Sequence, residues 1–134
     1  MERNTRQRQA VLDAIQHSKH AMTPPEILAL ACKAVPTLNL STVYRQIGSL
    51  HGEALINKVL LADQPARYEK ACSSASRDPG HHHHHFHCNS CDRVYPLHAC
   101  PGPMQELAPR GFKVESHDLT LHGLCADCRR AARS

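Results

Sequence analysis

Two Cys-x-x-Cys pairs, Cys88/Cys91 and Cys125/Cys128, and a five-histidine run at 81–85 just ahead of the first pair are the residues of this chain best suited to chemistry. Each pair can close on one ion through a short turn, and four thiolates delivered as two pairs suit tetrahedral Zn²⁺. A site closed by four sulfurs has no place for imidazoles, so the histidines imply separate metal binding nearby. A redox use of Cys-x-x-Cys wants the motif opening a helix after a strand in a thioredoxin-like unit, and that context is missing. The run is internal, unlike a purification tag. In an extended segment His81, His83 and His85 share one side and His82 and His84 the other, so one strand can feed two sites. No His-Glu-x-x-His or comparable catalytic spacing is present, which argues against a zinc hydrolase.

The elements that must hold these ligands are small. A chain of 134 residues with two Phe, three Tyr and no Trp is one ordinary domain or two very small ones, and the scarcity of aromatics argues against one large core. Small halves commonly need a staple, and structural zinc supplies an apparent 10–16 kcal/mol, roughly the stability of a whole domain. The odd count of seven cysteines and the paired spacing favour thiolate ligands over disulfides. No apolar run reaches the length of a membrane span and the start, MERNTRQRQ, has no signal-peptide core, so the chain reads as cytoplasmic with no membrane partner. A formal charge of +4 permits a nucleic-acid partner without requiring one.

Residues 1–72 read as a domain of short helices. Val11, Leu12, Ala14 and Ile15 recur at helical spacing within 6–17. Thr23 can cap a second helix that begins Pro24-Pro25-Glu26 and carries Ile27, Leu28, Leu30 and Ala31, with Pro36 ending it. Ser41 or Thr42 is expected to open a third, with Val43, Ile47 and Leu50 on its buried face and Gly52 as its stop. Residues 55–61 and 66–70 read as a hairpin around Asp63-Gln64-Pro65. Three helices and a hairpin is the element order of a winged helix-turn-helix. Residues 73–80, SSASRDPG, have the composition of a linker. In 81–134 we expect a strand at 93–97, a short helix between Pro103 and Pro109, and two strands in 112–123 with His117, Leu119 and Leu121 on one face. The fold class is therefore α+β: a winged helix-turn-helix followed by a small α/β unit pinned by zinc.

The sequence resembles the ferric uptake regulator (Fur) family of bacterial metal-dependent repressors over nearly its whole length. The carriers are Thr5-Arg6-Gln7-Arg8, Leu40-Ser41-Thr42-Val43-Tyr44-Arg45, Arg67-Tyr68-Glu69, the HHHHHFHC segment with Cys91, and Gly111-Phe112 followed by His117 and Gly123-Leu124-Cys125-Ala126-Asp127-Cys128. The resemblance implies a homodimer whose N-terminal winged helix enters the major groove of operator DNA and whose C-terminal half dimerises. It puts Tyr44 and Arg45 on the recognition helix, with Arg6, Ser41 and Thr42 also toward DNA; an arginine can address guanine and a tyrosine edge a thymine methyl. Cys88, Cys91, Cys125 and Cys128 then match the structural zinc site. His83 and His85 would join a hinge sensing site with Cys72 and Glu69, and His82, His84 and His117 a second regulatory site.

Iron- and peroxide-sensing relatives usually take a histidine from just before the second helix, where this chain has Ala21 with His20 one place off. Cys72 near the hinge is typical of zinc sensors, and a thiolate with imidazoles favours Zn²⁺ over Fe²⁺ or Mn²⁺. The resemblance is thus to the zinc uptake regulator type. The chain departs from that pattern at Asn57, at the long gap from Cys72 to His81, and at the acidic ligand after the first cysteine pair, where His98, Cys100, Glu106 or Glu69 would substitute. His81 and His87 have no assigned role. Cys32, on an apolar helix face, reads as a core thiol. The alternatives are an iron- or peroxide-sensing regulator of the same family and a zinc storage or delivery protein without DNA binding; the latter has no use for a recognition helix.

Overall fold

Apolar residues three and four apart set the first half of the molecule. In the computed structural model, which describes residues 2–71, 84–98, 102 and 104–133, α1 spans Glu2–Gln16, α2 Pro24–Ala31 and α3 Leu40–Gly52. Val11 and Ile15 of α1, Ile27 of α2 and Val43, Ile47 and Leu50 of α3 meet in one cluster, closed by Met22, Ile56 and Tyr68. Each such side chain contributes about 1.5–3 kcal/mol on burial. The start of α2 is set locally: the amide and hydroxyl of Thr23 both donate to Glu26 Oε1 at 2.9 Å, and Pro24 and Pro25 occupy the first turn, where no donor is needed. That helix stops at Ala31, before Pro36, and Cys32 caps it, half-buried against the core with its thiol donating to the Leu38 carbonyl at 3.8 Å.

The cap of α3 differs from the expectation. Asn39, not Ser41 or Thr42, opens the helix, its side chain accepting from the Thr42 amide at 2.9 Å. Thr42 is buried, at 8% exposure, and so occupies a core-facing helical position rather than a capping one. After α3 the hairpin forms from β1 (Ile56–Val59) and β2 (Arg67–Lys70), antiparallel with Asn57 opposite Glu69. Asp63, at φ 58°, turns the connection, a conformation Asp tolerates better than most residues. Met22, just ahead of α2, exchanges two backbone hydrogen bonds with Tyr68 at 2.8 and 2.9 Å and so tethers the hairpin to the helices.

The contacts divide the chain into two compact units, Met1–Arg77 and Asp78–Ser134. In the second, β3 (His84–Cys88) is the centre of a three-stranded sheet, antiparallel to β4 (Val94–Leu97) and parallel to β5 (Thr120–Gly123). Gly123 packs closely, since a Cβ there would stand 3.3 Å from the Phe86 ring, which would have to give by a few tenths of an ångström. Three expectations need correction. The helix between Pro103 and Pro109 is only a 3₁₀ turn, Gln105–Leu107. Residues 112–119 form no strand, so β5 stands alone where two strands were expected. The Gln105 side chain donates to the Phe112 carbonyl at 2.6 Å and accepts from the Val114 amide at 2.9 Å, taking backbone groups a neighbouring strand would have used. A further helix, α4 (Ala126–Arg133), follows β5. None of the described helices is long and apolar enough to cross a membrane.

Candidate metal centre and nucleic-acid interface

The parallel pairing of β3 with β5 puts Cys88 opposite Gly123 and so brings the two cysteine pairs to the same end of the sheet. Cys88 ends β3 and Cys91 lies in the turn that follows, which Asp92 completes at φ 65° with its amide on the Cys88 carbonyl at 3.0 Å. Cys125 precedes α4 and Cys128 lies in its first turn, where unpaired helix amides favour negative charge. All four Sγ atoms lie within 4.8 Å of one another, and Cys91 and Cys125 are 3.8 Å apart, about the edge of a tetrahedron of sulfurs 2.3 Å from a central ion. Zinc fits this donor set.

The electrostatics of the pocket point the same way. The Cys91 amide, at 3.5 Å, and the Cys125 amide, at 3.3 Å, donate to Cys88 Sγ and hold its pKa at about 6. Cys125 is also lowered, chiefly by the Cys128 amide. Cys91 is raised: the Arg93 amide pulls it down, but burial and Cys88 outweigh that. Cys128 is pushed up to about 12, because Cys125 and burial overcome a hydrogen bond from Ser90. The protein alone thus favours two thiolates and resists the other two. A divalent cation held by the four cysteines would supply the missing countercharge.

Of the histidines, His84 is almost fully buried and its Nε2 lies 3.1 Å from Nε2 of His117, with ring centroids 4.9 Å apart. Two imidazole nitrogens bound to one tetrahedral zinc at 2.0–2.1 Å would be separated by about 3.3 Å. His117 also borders a cleft of about 220 Å³ lined by Met104, Gln105, Val114, Glu115 and Ser116. His85 is half-buried on β3, one residue along and on the opposite face from His84. Glu69 is buried on β2 of the first unit. Cys72, His81, His82, His83 and Cys100, and the linker 73–80, lie outside the described residues. His98 and Glu106 are exposed, as is Asn57 on β1.

On α3 the side chains divide cleanly. Ser41, Tyr44 and Arg45 are exposed, Tyr44 at 53%, while Thr42 turns inward and cannot reach a groove with its side chain. Arg6 is exposed on α1. Three contacts that local sequence reasoning missed hold α1 against α3 and against Glu53, which caps it. Arg8 donates to the Ser49 hydroxyl at 2.9 Å and pairs with Glu53 at 2.5 Å, and the Gln46 side chain donates to Asn4 at 2.6 Å. Their partners are some forty residues apart, so nothing in the local pattern announces them. His87 was likewise unassigned: its Nε2 meets Asp92 Oδ1 at 2.5 Å, and its ring stands edge-on to His122 at 5.6 Å, bracing the first cysteine turn.

This chain, with an exposed helix face in one unit and a four-cysteine cluster in the other, is similar to regulators named for iron, peroxide and zinc. It is 26% identical over 132 residues to the peroxide operon regulator of Bacillus subtilis, spanning 96% of this chain and 85% of that one. The ferric uptake regulator structure from Helicobacter pylori, described as having three functional metal binding sites, superposes with a TM-score of 0.66 at 25% identity, over 92% of this chain and 79% of its own. A zinc uptake regulator solved with zinc and DNA superposes at 0.62 with 26% identity, over 96% and 84%. The match to the family description covers residues 2–122, taking in α1–α3, the hairpin and all three strands of the sheet except its last residue. The chain therefore belongs to the ferric uptake regulator family, the metal-responsive transcriptional regulators.

Proposed function

We propose that this protein is a zinc-sensing repressor that binds the operator DNA of metal-uptake genes as a homodimer in the cytoplasm. The observation that carries DNA reading is the exposed pair Tyr44 and Arg45 on α3, a helix whose opposite side is fully committed to the core. Arg6 and Ser41 join that face. Cys88, Cys91, Cys125 and Cys128 hold a structural zinc. Dimerisation through the second unit is supported by Leu107, Phe112, Leu121 and Leu124, which are 46–81% exposed in the single chain.

The regulatory ligands are Cys72, His83, His85 and Glu69, with His82, His84 and His117 forming a second site. Zinc is favoured by the thiol of Cys72 and by Ala21, which is buried where iron- and peroxide-sensing relatives place a histidine. Metal binds more tightly to the conformation in which both winged helices match adjacent half-sites, and so shifts the population toward DNA-competent dimers. Operator DNA must then raise zinc affinity by the same factor. An iron- or peroxide-sensing role is the second reading, favoured by the carboxylate of Glu69 as a hard donor beside imidazoles.

The experiment is DNA affinity across buffered free Zn²⁺, Mn²⁺ and anaerobic Fe²⁺, for the wild type and Cys72→Ser, on promoter DNA of a zinc importer. Zinc should activate binding at the lowest free concentration, and Cys72→Ser should abolish that response while staying folded. Superimposed zinc curves for the two proteins would remove the zinc assignment and move the iron reading ahead.

A further inference from the structure

Gly48 sits in the middle of the 13-residue helix α3, where glycine is the least favourable residue after proline. Nothing inside the molecule asks for it. A Cβ built there meets no heavy atom within 4 Å, and its φ is not positive, the left-handed conformation that would favour glycine. Gly123, by contrast, has the Phe86 ring 3.3 Å from where a Cβ would stand.

Its place on the helix supplies a reason. At about 100° per residue, Gly48 lies about 20° from Ser41, with Tyr44 about 40° to one side and Arg45 about 60° to the other. It is therefore on the centre line of the exposed face that carries the proposed reading residues. A helix with its side chains is about 10–12 Å across and the major groove about 12 Å wide, so the residue on the centre line limits how deeply the helix can seat. We infer that Gly48 is the point of closest approach between α3 and the base edges of DNA, its missing side chain setting the depth from which Tyr44 and Arg45 reach the groove floor. This rests on the reading of α3 as the recognition helix and names a specificity-determining position within it.

Gly48→Ala and Gly48→Leu test it, since both residues favour the helix more than glycine does. The probe is a duplex enriched from a random-sequence pool by the full-length, zinc-loaded wild type, with Arg45→Ala measured alongside. Both Gly48 variants should keep or raise the temperature of unfolding. Yet affinity for the enriched duplex should fall on the order of tenfold for alanine, the scale of one mismatched base pair, and further for leucine. Wild-type affinity in both Gly48 variants with a loss in Arg45→Ala would overturn the inference and leave the recognition helix standing. No loss in any of the three would overturn both. Lower unfolding temperatures for the Gly48 variants would make the glycine structural and overturn the inference as well.

Discussion

Replacing Cys88 with Ser should unfold the second unit while leaving the first intact, because the two are held by different means. The first unit has an apolar cluster drawn from three helices and the hairpin. In the second, the buried side chains among the described residues are His84, Cys88, Val94 and Cys125, so half of them are ligands of the proposed structural zinc. Burial of Val94 contributes about 1.5–3 kcal/mol. Structural zinc contributes about 10–16 kcal/mol and so outweighs that apolar core several times over. The serine hydroxyl stays protonated and cannot replace a thiolate. The Cys91 and Cys125 amides that now point at Cys88 Sγ lose their charged acceptor, at a further cost of about 1–3 kcal/mol each where water cannot enter. Metal analysis after mild chelation should therefore show one zinc fewer per protomer than in the wild type. Hydrogen exchange followed by mass spectrometry should show protection lost across 84–98 and 120–128 and kept across 10–50. A Cys88→Ser protein that retains its full zinc and its protection in β3 and β5 would refute the reasoning.

Other perturbations separate the two units and the two proposed kinds of site. Leu50→Ala, at a fully buried position, should cost about 2–5 kcal/mol in the first unit without loss of the four-cysteine zinc, as measured by denaturant unfolding and metal analysis. Arg45→Ala should weaken operator binding by about 1–3 kcal/mol and relax sequence preference. Equal losses on operator and random DNA would make Arg45 a phosphate contact instead. His117→Ala should remove one class of exchangeable metal, read by calorimetric titration, while the tightly held zinc stays; an unchanged titration would show that the close His84–His117 pair is a hydrogen bond within the protein and no ligand set.

How much of this was legible follows from how far apart the interacting residues are in the chain. Helical spacing is local, so Val11, Ile15, Ile27, Val43, Ile47 and Leu50 could be picked as core from the sequence, and all are buried. The Thr23-Pro24-Pro25-Glu26 start was equally local. The cap of α3 was not, because Asn39, Ser41 and Thr42 are all competent caps; the burial of Thr42 ties the choice to tertiary packing. The Met22–Tyr68 pairing, the Arg8–Glu53 contact and the irregular course of 112–119 all depend on partners brought close only by folding. α4 was missed because ADCRRAAR is short and its apolar side is only Cys128, Ala131 and Ala132, too small a stripe to stand out.

The cysteine pairs and the histidine run occupy a middle position. Each Cys-x-x-Cys announces a metal by itself, since the turn that joins two thiolates is four residues long. Which pair meets which, and which histidine meets His117, is a matter of sheet topology. A parallel neighbour for β3 requires a long connection, and residues 89–119 supply it. Once β5 runs beside β3 in the register that sets Cys88 against Gly123, the second cysteine pair arrives at the first, and His84, at the other end of β3, lies near the chain entering β5. A single strand pairing thus joins the four-sulfur centre to the His84–His117 pair. Metal removal at the cysteines should therefore reach the histidine site through β3 and β5, whereas loss of His117 leaves the strand register, and hence the four-sulfur site, in place.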